Sequence, residues 1–453
     1  MVLKGKKIVV VGLGKTGVAL ARFLTQQEAV VTVTDNGKIS TLTEARSEVE
    51  RLPLRLELGG HSAETFENAD LIVLSPGVPH TLPIFSRARA KGTAVIGEIE
   101  LAARFISEPI IAVTGTNGKT TTTELIAMML EKSGFSVFVG GNIGNPLIGY
   151  LTEGAKTDFL VVEVSSFQLD TIETFKPQVS VLLNIQADHL DRYEGFDAYC
   201  ASKGRLFMRQ GNGEVAVLNG HDDAVRTLAE GISCRRLFFC GKKEKEAGAH
   251  IETDRLRIRM HDGQAHTADI SGARIVGAHN RENISAAAMA CLAVGGTLSA
   301  VESTAAEFTG LPHRITPVAE VSGVRFYDDS KATNVDAVKR ALASFTTGVV
   351  LIMGGRDKGG SYEPLAEAVK NGVKRLVLLG ESAKMIEKSL GALVETLVVP
   401  TMEMAVSVAF AGADSGDVVL LSPGCSSFDM FGSYKERGEV FLRSVECLGN
   451  RLI

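Results

Sequence analysis

Ile110-Ile111-Ala112-Val113-Thr114-Gly115-Thr116-Asn117-Gly118-Lys119-Thr120-Thr121 is the stretch that decides how this chain is read. Three of its first four residues are β-branched, and so short an apolar run suits a strand buried on both faces. The glycines let the following turn curl until its N–H groups point at a phosphate, and a helical pattern from Glu124 to Ser133 continues the unit. Strand, glycine loop and helix in this order are the setting of a P-loop. Lys119 is then placed to neutralise β- and γ-phosphates, and the Thr120 hydroxyl to meet Mg²⁺. The loop is shorter than GxxxxGK[ST], because Val113 stands where the first glycine would be.

Hard oxygen donors or an imidazole on neighbouring strand ends would complete a magnesium site. Glu163 ends the run Phe159-Leu160-Val161-Val162, and His189 follows Val181-Leu182-Leu183-Asn184 in Ala187-Asp188-His189-Leu190-Asp191. Both are expected at the carboxyl edge of the sheet, where the loop also emerges.

A second glycine loop lies near the amino terminus. Gly12-Leu13-Gly14-Lys15-Thr16-Gly17 follows the strand pattern Lys7 to Val11, and Asp35 ends the next strand, Val30 to Thr34. The spacing matches the dinucleotide fingerprint, but its physics selects only a diphosphate on a helix N-terminus. A UDP-sugar satisfies it as well as NAD does. The downstream P-loop favours the sugar nucleotide, because a dehydrogenase has no use for γ-phosphate chemistry.

The rest of the chain repeats the alternation of short apolar runs and helical patterns, which implies βαβ units and parallel sheets. Leu256, Ile258 and Met260 alternate with Arg255, Arg257 and Arg259 ahead of Asp262-Gly263, a hairpin pattern. A helix is expected from Asn280 to Leu292. Later strands are expected near Val324–Tyr327, Val349–Met353, Leu376–Leu379, Glu395–Val399 and Val418–Leu421. The expected fold class is α/β in three domains, each on a mainly parallel sheet with flanking helices, the central one P-loop-like with an added antiparallel hairpin region. The expected boundaries are 1–100, 101–311 and 312–453.

Composition agrees with this. At ~100–200 residues per domain, 453 residues suit about three domains. Hydrophobic residues at 45% and charged residues at 22% exclude disorder, and a net charge of −5 gives no global reason to bind nucleic acid or anionic lipid. Six cysteines without a CxxC pair suit reduced thiols rather than a zinc site or disulfide framework. No run approaches the ~18 apolar residues a membrane span needs, so a soluble cytoplasmic protein is expected.

Several segments together resemble the Mur ligase family, ATP-dependent amide-forming enzymes of peptidoglycan precursor synthesis. They are GLGKTG (12–17), SPGV (75–78), TGTNGKTT (114–121), GGNIGNP (140–146), EVSSFQLD (163–170), DHLDRY (188–193), ASKGRLF (201–207), GAHNRENISAA (277–287), GLPHR (310–314), DDSKATN (328–334) and SPGCSSFDMF (422–431). The resemblance spans essentially the whole chain. It implies a Rossmann-like UDP-substrate domain, a central ATP-binding domain and a Rossmann-like amino-acid domain. The implied reaction joins D-glutamate to UDP-N-acetylmuramoyl-L-alanine through an acyl-phosphate, with ATP as co-substrate, two Mg²⁺ ions and domain closure against water. A monomer is expected, with neither membrane nor nucleic acid as partner.

The resemblance also implies roles. Gly115, Thr116, Asn117, Gly118, Lys119, Thr120 and Thr121 hold ATP phosphates, with Asn280, Asn283, Arg314 and Asp329 as further ATP contacts. Thr120, Glu163 and His189 hold metal, joined by Lys203 if it is carbamylated, whereas on the residues alone Lys203 reads as a surface lysine. Lys119, His189, Lys203 and Lys331 are the implied catalytic set. Gly14, Lys15, Thr16, Asp35, Asn36, Ser75, Gly77, Asn142 and Gln168 match positions near the UDP-substrate. Thr333, Lys358, Ser427, Phe428 and Tyr434 match positions around D-glutamate. The third block has no DNPR-like diamino-acid motif, and Lys358 offers a cation for glutamate's second carboxylate.

Overall fold

The computed structural model describes residues 1–38, 42–154, 156–240, 247–275, 277–346 and 348–450. Its strands form three sheets. In the first, β1 (Lys7–Val11), β2 (Val30–Asp35), β3 (Leu54–Leu58), β4 (Leu71–Leu74) and β5 (Ala94–Gly97) run parallel in the order β3-β2-β1-β4-β5. The order reverses between β1 and β4, so the loops GLGKTG and SPGV leave the sheet side by side. There Ser75 Oγ donates to the Gly12 carbonyl at 3.1 Å. A Cβ on Gly17 would strike that same carbonyl, which is why this turn needs glycine. One face of the sheet packs Val9, Val11, Ile72 and Leu74 against Phe66, Phe85 and Ala88.

The second sheet holds β6 (Ile110–Thr114), β7 (Val137–Gly141), β8 (Phe159–Glu163), β9 (Val179–Leu182), β10 (Val215–Asn219), β11 (Arg235–Phe239), β12 (Gly248–Glu252), β13 (Arg255–Arg259) and β14 (Ala265–Asp269). Its order is β14-β13-β12-β11-β10-β9-β6-β8-β7, so the strand before the P-loop lies between the strands that deliver Glu163 and Asn184. The expected hairpin region is β12-β13-β14, antiparallel and paired to the parallel strands through β11. Its arginines face solvent and Leu256 and Ile258 are buried, as the alternation indicates.

The third sheet holds β15 (Thr316–Val321), β16 (Val324–Asp328), β17 (Val349–Gly354), β18 (Val373–Leu379), β19 (Glu395–Val398) and β20 (Val418–Leu421), in the order β15-β16-β20-β17-β18-β19. Only β15 is antiparallel. Two apolar clusters cover its faces, one around Leu351 and Leu420, the other around Val350 and Phe441. The carboxyl ends of β16, β20 and β17 lie next to one another, which gathers the loops DDSKATN, SPGCSS and GGRDKGG at one edge.

By compactness the chain forms two units. Residues 1–185, 197–271 and 283–304 make the first, which carries the first two sheets. Residues 186–196, 272–282 and 305–453 make the second, which carries the third sheet. Within the first unit, helix Glu98–Ala103 runs across the expected boundary at 100 and ties two sheets together. Buried Glu100 accepts backbone N–H groups from Glu173, Thr174 and Phe175, the hydroxyl of Thr174, and the Arg104 guanidinium. Glu98 reaches the N-terminus of helix Leu147–Glu153, where its Oε1 accepts from Ile148 N–H at 2.7 Å. Among the described residues no helix is long and apolar enough to cross a membrane, and all six cysteines are free.

Burial pushes the Glu98 carboxyl up to about 7, against the opposing pull of the Ile148 and Leu147 N–H groups. The native state therefore keeps a proton that the unfolded chain gives up above its ordinary value of 4.5, and stability is lost as pH rises through about 7. Glu98→Gln keeps an acceptor for Ile148 without the charge. It is expected to melt a few degrees above wild type at pH 8 and level with it at pH 4.5, by scanning calorimetry. Equal melting at both pH values would show that Glu98 is not buried as described.

Candidate active site

The P-loop turns on two glycines in left-handed or mirror conformations, Gly115 at φ +155 and Gly118 at φ +87. Helix Lys119–Lys132 starts directly after Gly118, five residues earlier than the apolar pattern suggests. Its threonine-rich first turns have modest helix propensity, but Thr121, Thr122 and Thr123 are buried, so packing holds them helical. Asn184 fastens the loop from the next strand. Its Oδ1 accepts from Asn117 N–H at 2.8 Å, its Nδ2 donates to the Asn117 carbonyl at 3.0 Å, and its own carbonyl accepts from Thr116 N–H. Asn283 closes the other side, accepting from Thr122 Oγ1 at 3.3 Å, and a Cβ on Gly118 would collide with its amide oxygen.

Two lysines converge on this loop. Lys119 Nζ donates to the carbonyls of Gly115 and Thr116, each at 2.9 Å, and Lys203 Nζ donates to the same Gly115 carbonyl at 2.9 Å. Lys203 is 1% exposed, so the surface-lysine reading of KGR fails. Its ammonium lies 4.6 Å from the centre of the Tyr199 ring, whose hydroxyl meets Thr116 Oγ1. Glu163, 2% exposed, accepts from Thr120 Oγ1 at 2.8 Å and from Asn142 Nδ2 at 2.7 Å. The Thr120 hydroxyl and the Glu163 carboxylate gathered in this way are hard oxygen donors that fit Mg²⁺.

The residues expected near a UDP-substrate fall into three groups. Gly14 caps helix Lys15–Gln26, which presents Lys15 and Thr16, and Lys15 Nζ donates to the Gly144 carbonyl at 2.6 Å. Asp35 joins its own turn to the first glycine loop, accepting from Gly37 N–H at 2.6 Å and from Leu13 N–H at 2.7 Å, while Asn36 beside it is exposed. Ser75 and Gln168 line one small cavity with Glu98, and Gly77 is exposed on the turn next to it. Gln168 Oε1 completes a capping box with Ser165, and among the described residues its Nε2 has no partner, nor has Glu98 Oε2. Asn142 belongs with Glu163 instead.

In the second unit, Asp188 Oδ1 accepts from His189 N–H at 2.9 Å and lies 3.4 Å from Lys358 Nζ, which is 3.3 Å from Thr333 Oγ1. His189 itself is left-handed at φ 56. The Lys331 ammonium sits 3.9 Å from the centre of the Tyr434 ring, with His313 edge-on to that ring. Ser427 is buried, and Phe428 beside it is 64% exposed. Asp329 accepts from Ser422 Oγ at 2.8 Å, and burial pushes its carboxyl up to about 7 although Arg314 pulls the other way. Helix Ala278–Ala293 carries Asn280 in the second unit and Asn283 in the first. His279 is held neutral, lowered to about 4 by burial and by Arg340 and Arg314.

Sequence reasoning passes over Asn184, Tyr199, Asn334 and Arg437. Arg437, 2% exposed, donates to the carbonyls of Ser330 and Cys425 and so clamps DDSK to SPGC. Burial lowers its guanidinium to about 10. Asn184 had a visible signal, a polar residue just after a buried strand beside the P-loop. Arg437 had none, since an arginine in a helix reads as solvated.

Models of the Mur ligase middle domain, of the MurD-like N-terminal domain and of the glutamate ligase domain of Mur ligases match residues 113–291, 6–97 and 313–425. The UDP-N-acetylmuramoylalanine--D-glutamate ligase of Desulfatibacillum aliphaticivorans is 49% identical, over 99% of this chain and 100% of its own. The chain belongs to the Mur ligase family. The protein of the same name from Bdellovibrio bacteriovorus is 45% identical, over 97% of each chain. Among solved structures, MurF ligase from Thermotoga maritima in complex with ADP superposes with a TM-score of 0.62 at 19% identity, covering 100% of this chain and 96% of that one. A pseudomurein peptide ligase type C from Methanothermus fervidus gives 0.61 at 21%, covering 98% and 100%. These two show the fold, and the three mainly parallel sheets are that of a Mur ligase.

Gly118→Ala is expected to cost ~1–3 kcal/mol in urea unfolding and to weaken ATP binding, because it adds strain and displaces Asn283. Gly14→Ala, where a Cβ meets nothing within 4 Å, is expected to stay within about 0.5 kcal/mol of wild type. Equal stabilities for the two variants would contradict the described loop.

Proposed function

We propose that this chain ligates D-glutamate to UDP-N-acetylmuramoyl-L-alanine at the expense of ATP, releasing ADP and phosphate in peptidoglycan precursor synthesis. The relatives' shared name supports the substrates, and the convergence of Lys119, Lys203 and Thr120 on one loop supports the chemistry. Residues 1–100, 101–311 and 312–453 are the proposed UDP-substrate, ATP and amino-acid domains.

A carboxylate is a poor acyl donor, so the L-alanine carboxylate first attacks the γ-phosphorus of ATP and ADP leaves. Lys119 and the N–H groups from Gly118 to Thr121 hold the phosphates and offset the charge that develops on them, those of Thr116 and Asn117 being taken by Asn184. Thr120, Glu163 and His189 are the proposed magnesium ligands, and the ion would neutralise phosphate charge when bound. Lys203 is proposed to be carbamylated, which replaces an ammonium next to Lys119 by an anion and turns like charges into opposite ones. Asn280, Asn283, Arg314 and Asp329 are proposed for the ATP side, and Lys331 for the transferring phosphoryl group. The D-glutamate amine then attacks the acyl carbon, and phosphate departs with one former carboxylate oxygen. Gly14, Lys15, Thr16, Asp35, Asn36, Ser75, Gly77, Asn142 and Gln168 are proposed for the sugar nucleotide. Thr333, Lys358, Ser427, Phe428 and Tyr434 are proposed for D-glutamate. The proposed working state is a monomer in the cytoplasm.

Purified protein with ATP, Mg²⁺, UDP-N-acetylmuramoyl-L-alanine and D-glutamate is expected to release phosphate only when all four are present. Release with a diamino acid but not D-glutamate would overturn the substrate assignment. Lys203→Ala is expected to lose turnover by about 100-fold or more and to regain part of it with added short carboxylates. Full activity in that variant would remove Lys203 from the reaction.

A further inference from the structure

Where helix Glu98–Ala103 ties the first sheet to the second, a small cavity lies beside Glu98. Ser75 and Val78 line it from the turn after β4, and Phe167, Gln168 and Thr171 from the segment after β8. Its volume, about 10 Å³, suits one oxygen-sized group. Glu98 is 2% exposed and Gln168 4%, and each has one polar atom committed elsewhere. Glu98 Oε1 accepts from Ile148 N–H at 2.7 Å, and Gln168 Oε1 accepts from Ser165 N–H at 2.9 Å and from Ser165 Oγ at 3.0 Å. Among the described residues, Glu98 Oε2 and Gln168 Nε2 have no partner.

These commitments fix what the two side chains can offer. The capping box pins Gln168, so its NH₂ group is the atom left for the cavity, and that group only donates. A proton on Glu98 goes to Oε2, because Oε1 already takes an N–H group. The neutral acid and the amide then bring two donors to one cavity. Buried donors are costly to leave unmade, and a single lone-pair oxygen satisfies both. An ionised Glu98 would instead meet that oxygen with an acceptor, and the two would repel.

We propose that the sugar nucleotide sets one acceptor oxygen into this cavity, where it takes hydrogen bonds from the Gln168 amide and from Glu98 as a neutral acid. The inference rests on the reading of this protein as a ligase of a UDP-sugar, and it adds Glu98 as a binding residue that works only with its proton on. Ser75 on the cavity wall is already proposed for that substrate, and the neighbouring Gly77 is exposed, so the turn gives the oxygen its way in. Burial pushes the free protein's Glu98 carboxyl up to about 7, and binding is expected to raise it further and to draw a proton from solvent. Among the described residues that line the cavity, Glu98 alone can ionise there. Strands β4 and β5 carry no ionisable side chain, and helix Leu147–Glu153 meets Glu98 with backbone N–H groups. His80 and Asp170, 3.9 Å apart, follow the two walls, and Glu100 turns to Arg104 and the N–H groups of residues 173–175.

The test is calorimetric binding of UDP-N-acetylmuramoyl-L-alanine to the full chain without ATP, at pH 6 and pH 8, in buffers of different ionisation enthalpy. At pH 8 wild type is expected to take up close to one proton more per bound substrate than Glu98→Gln, whose amide supplies the second donor at any pH. Glu98→Gln is expected to bind about 10-fold tighter than wild type at pH 8 and within about twofold of it at pH 6. Equal proton uptake, or the same affinity ratio at both pH values, would overturn the proposal and leave the cavity to a water molecule. Should Glu98→Gln not fold, Gln168→Met is expected to bind about 10-fold more weakly than wild type at pH 6, and unchanged affinity there would overturn the proposal as well. Wild type that fails to bind the sugar nucleotide at either pH would instead refute the ligase reading itself.

Discussion

One backbone oxygen, that of Gly115, receives two ammonium groups. Lys119 reaches it from the first turn of its own helix and Lys203 from helix Phe196–Gly204, each at 2.9 Å. Two like charges held under ~6 Å apart repel by several kcal/mol at the effective dielectric of a protein interior, and an anion bound at the loop offsets that repulsion. A triphosphate supplies this, and so would a carbamate on Lys203. The loop is therefore built for a ligand more than for its own stability. Its shape is held from outside, by Asn184 on one side and Asn283 on the other.

The sheets explain why the parts meet. Parallel strands deliver their loops to one edge, and in the second sheet β6 has β8 and β9 as neighbours, so Thr120, Glu163 and Asn184 arrive together from distant parts of the sequence. The same logic places GLGKTG beside SPGV in the first sheet, and DDSKATN beside SPGCSS and the Lys358 turn in the third. Within the first unit, Glu98 and Glu100 fasten one sheet's helix to backbone N–H groups of the other. Two acidic side chains thus do at this junction what an apolar interface does elsewhere, and the one with an unpartnered oxygen becomes sensitive to pH.

Much of this could be read from the sequence because the decisive features are local. A buried run ending in glycine and a helix, as at Ile110–Thr121, carries its own geometry, and the alternation of Leu256 and Ile258 with arginines correctly marks a hairpin. Strands β3 and β10 also carry legible patterns, Leu54-Arg55-Leu56-Glu57-Leu58 and Val215-Ala216-Val217-Leu218, that the block-by-block reading leaves out. Strands β11 and β15 could not be read in this way, since Arg235-Arg236 breaks the alternation in one and Pro317 opposes a strand in the other, so pairing decides them. The start of helix Lys119–Lys132 is lost for a similar reason, because burial rather than propensity makes its threonines helical. At the site, residue types were legible and partners were not. Asp35 faces the Leu13 N–H group of the first glycine loop, Asn142 faces Glu163, and Lys203 is buried, none of which a linear pattern can state.

On the proposed reading, the nucleotide loop places ATP's γ-phosphorus against a substrate carboxylate. The most direct measurement is oxygen transfer. UDP-N-acetylmuramoyl-L-alanine labelled with ¹⁸O in the L-alanine carboxylate is turned over with ATP and D-glutamate, and the released phosphate is examined by mass spectrometry or by the ¹⁸O shift of its ³¹P resonance. Each phosphate is expected to carry one oxygen from the labelled carboxylate, because that oxygen bridges to phosphorus before the amine displaces it. Product formed with unlabelled phosphate would mean that the carboxylate never attacks ATP, and the account would be wrong.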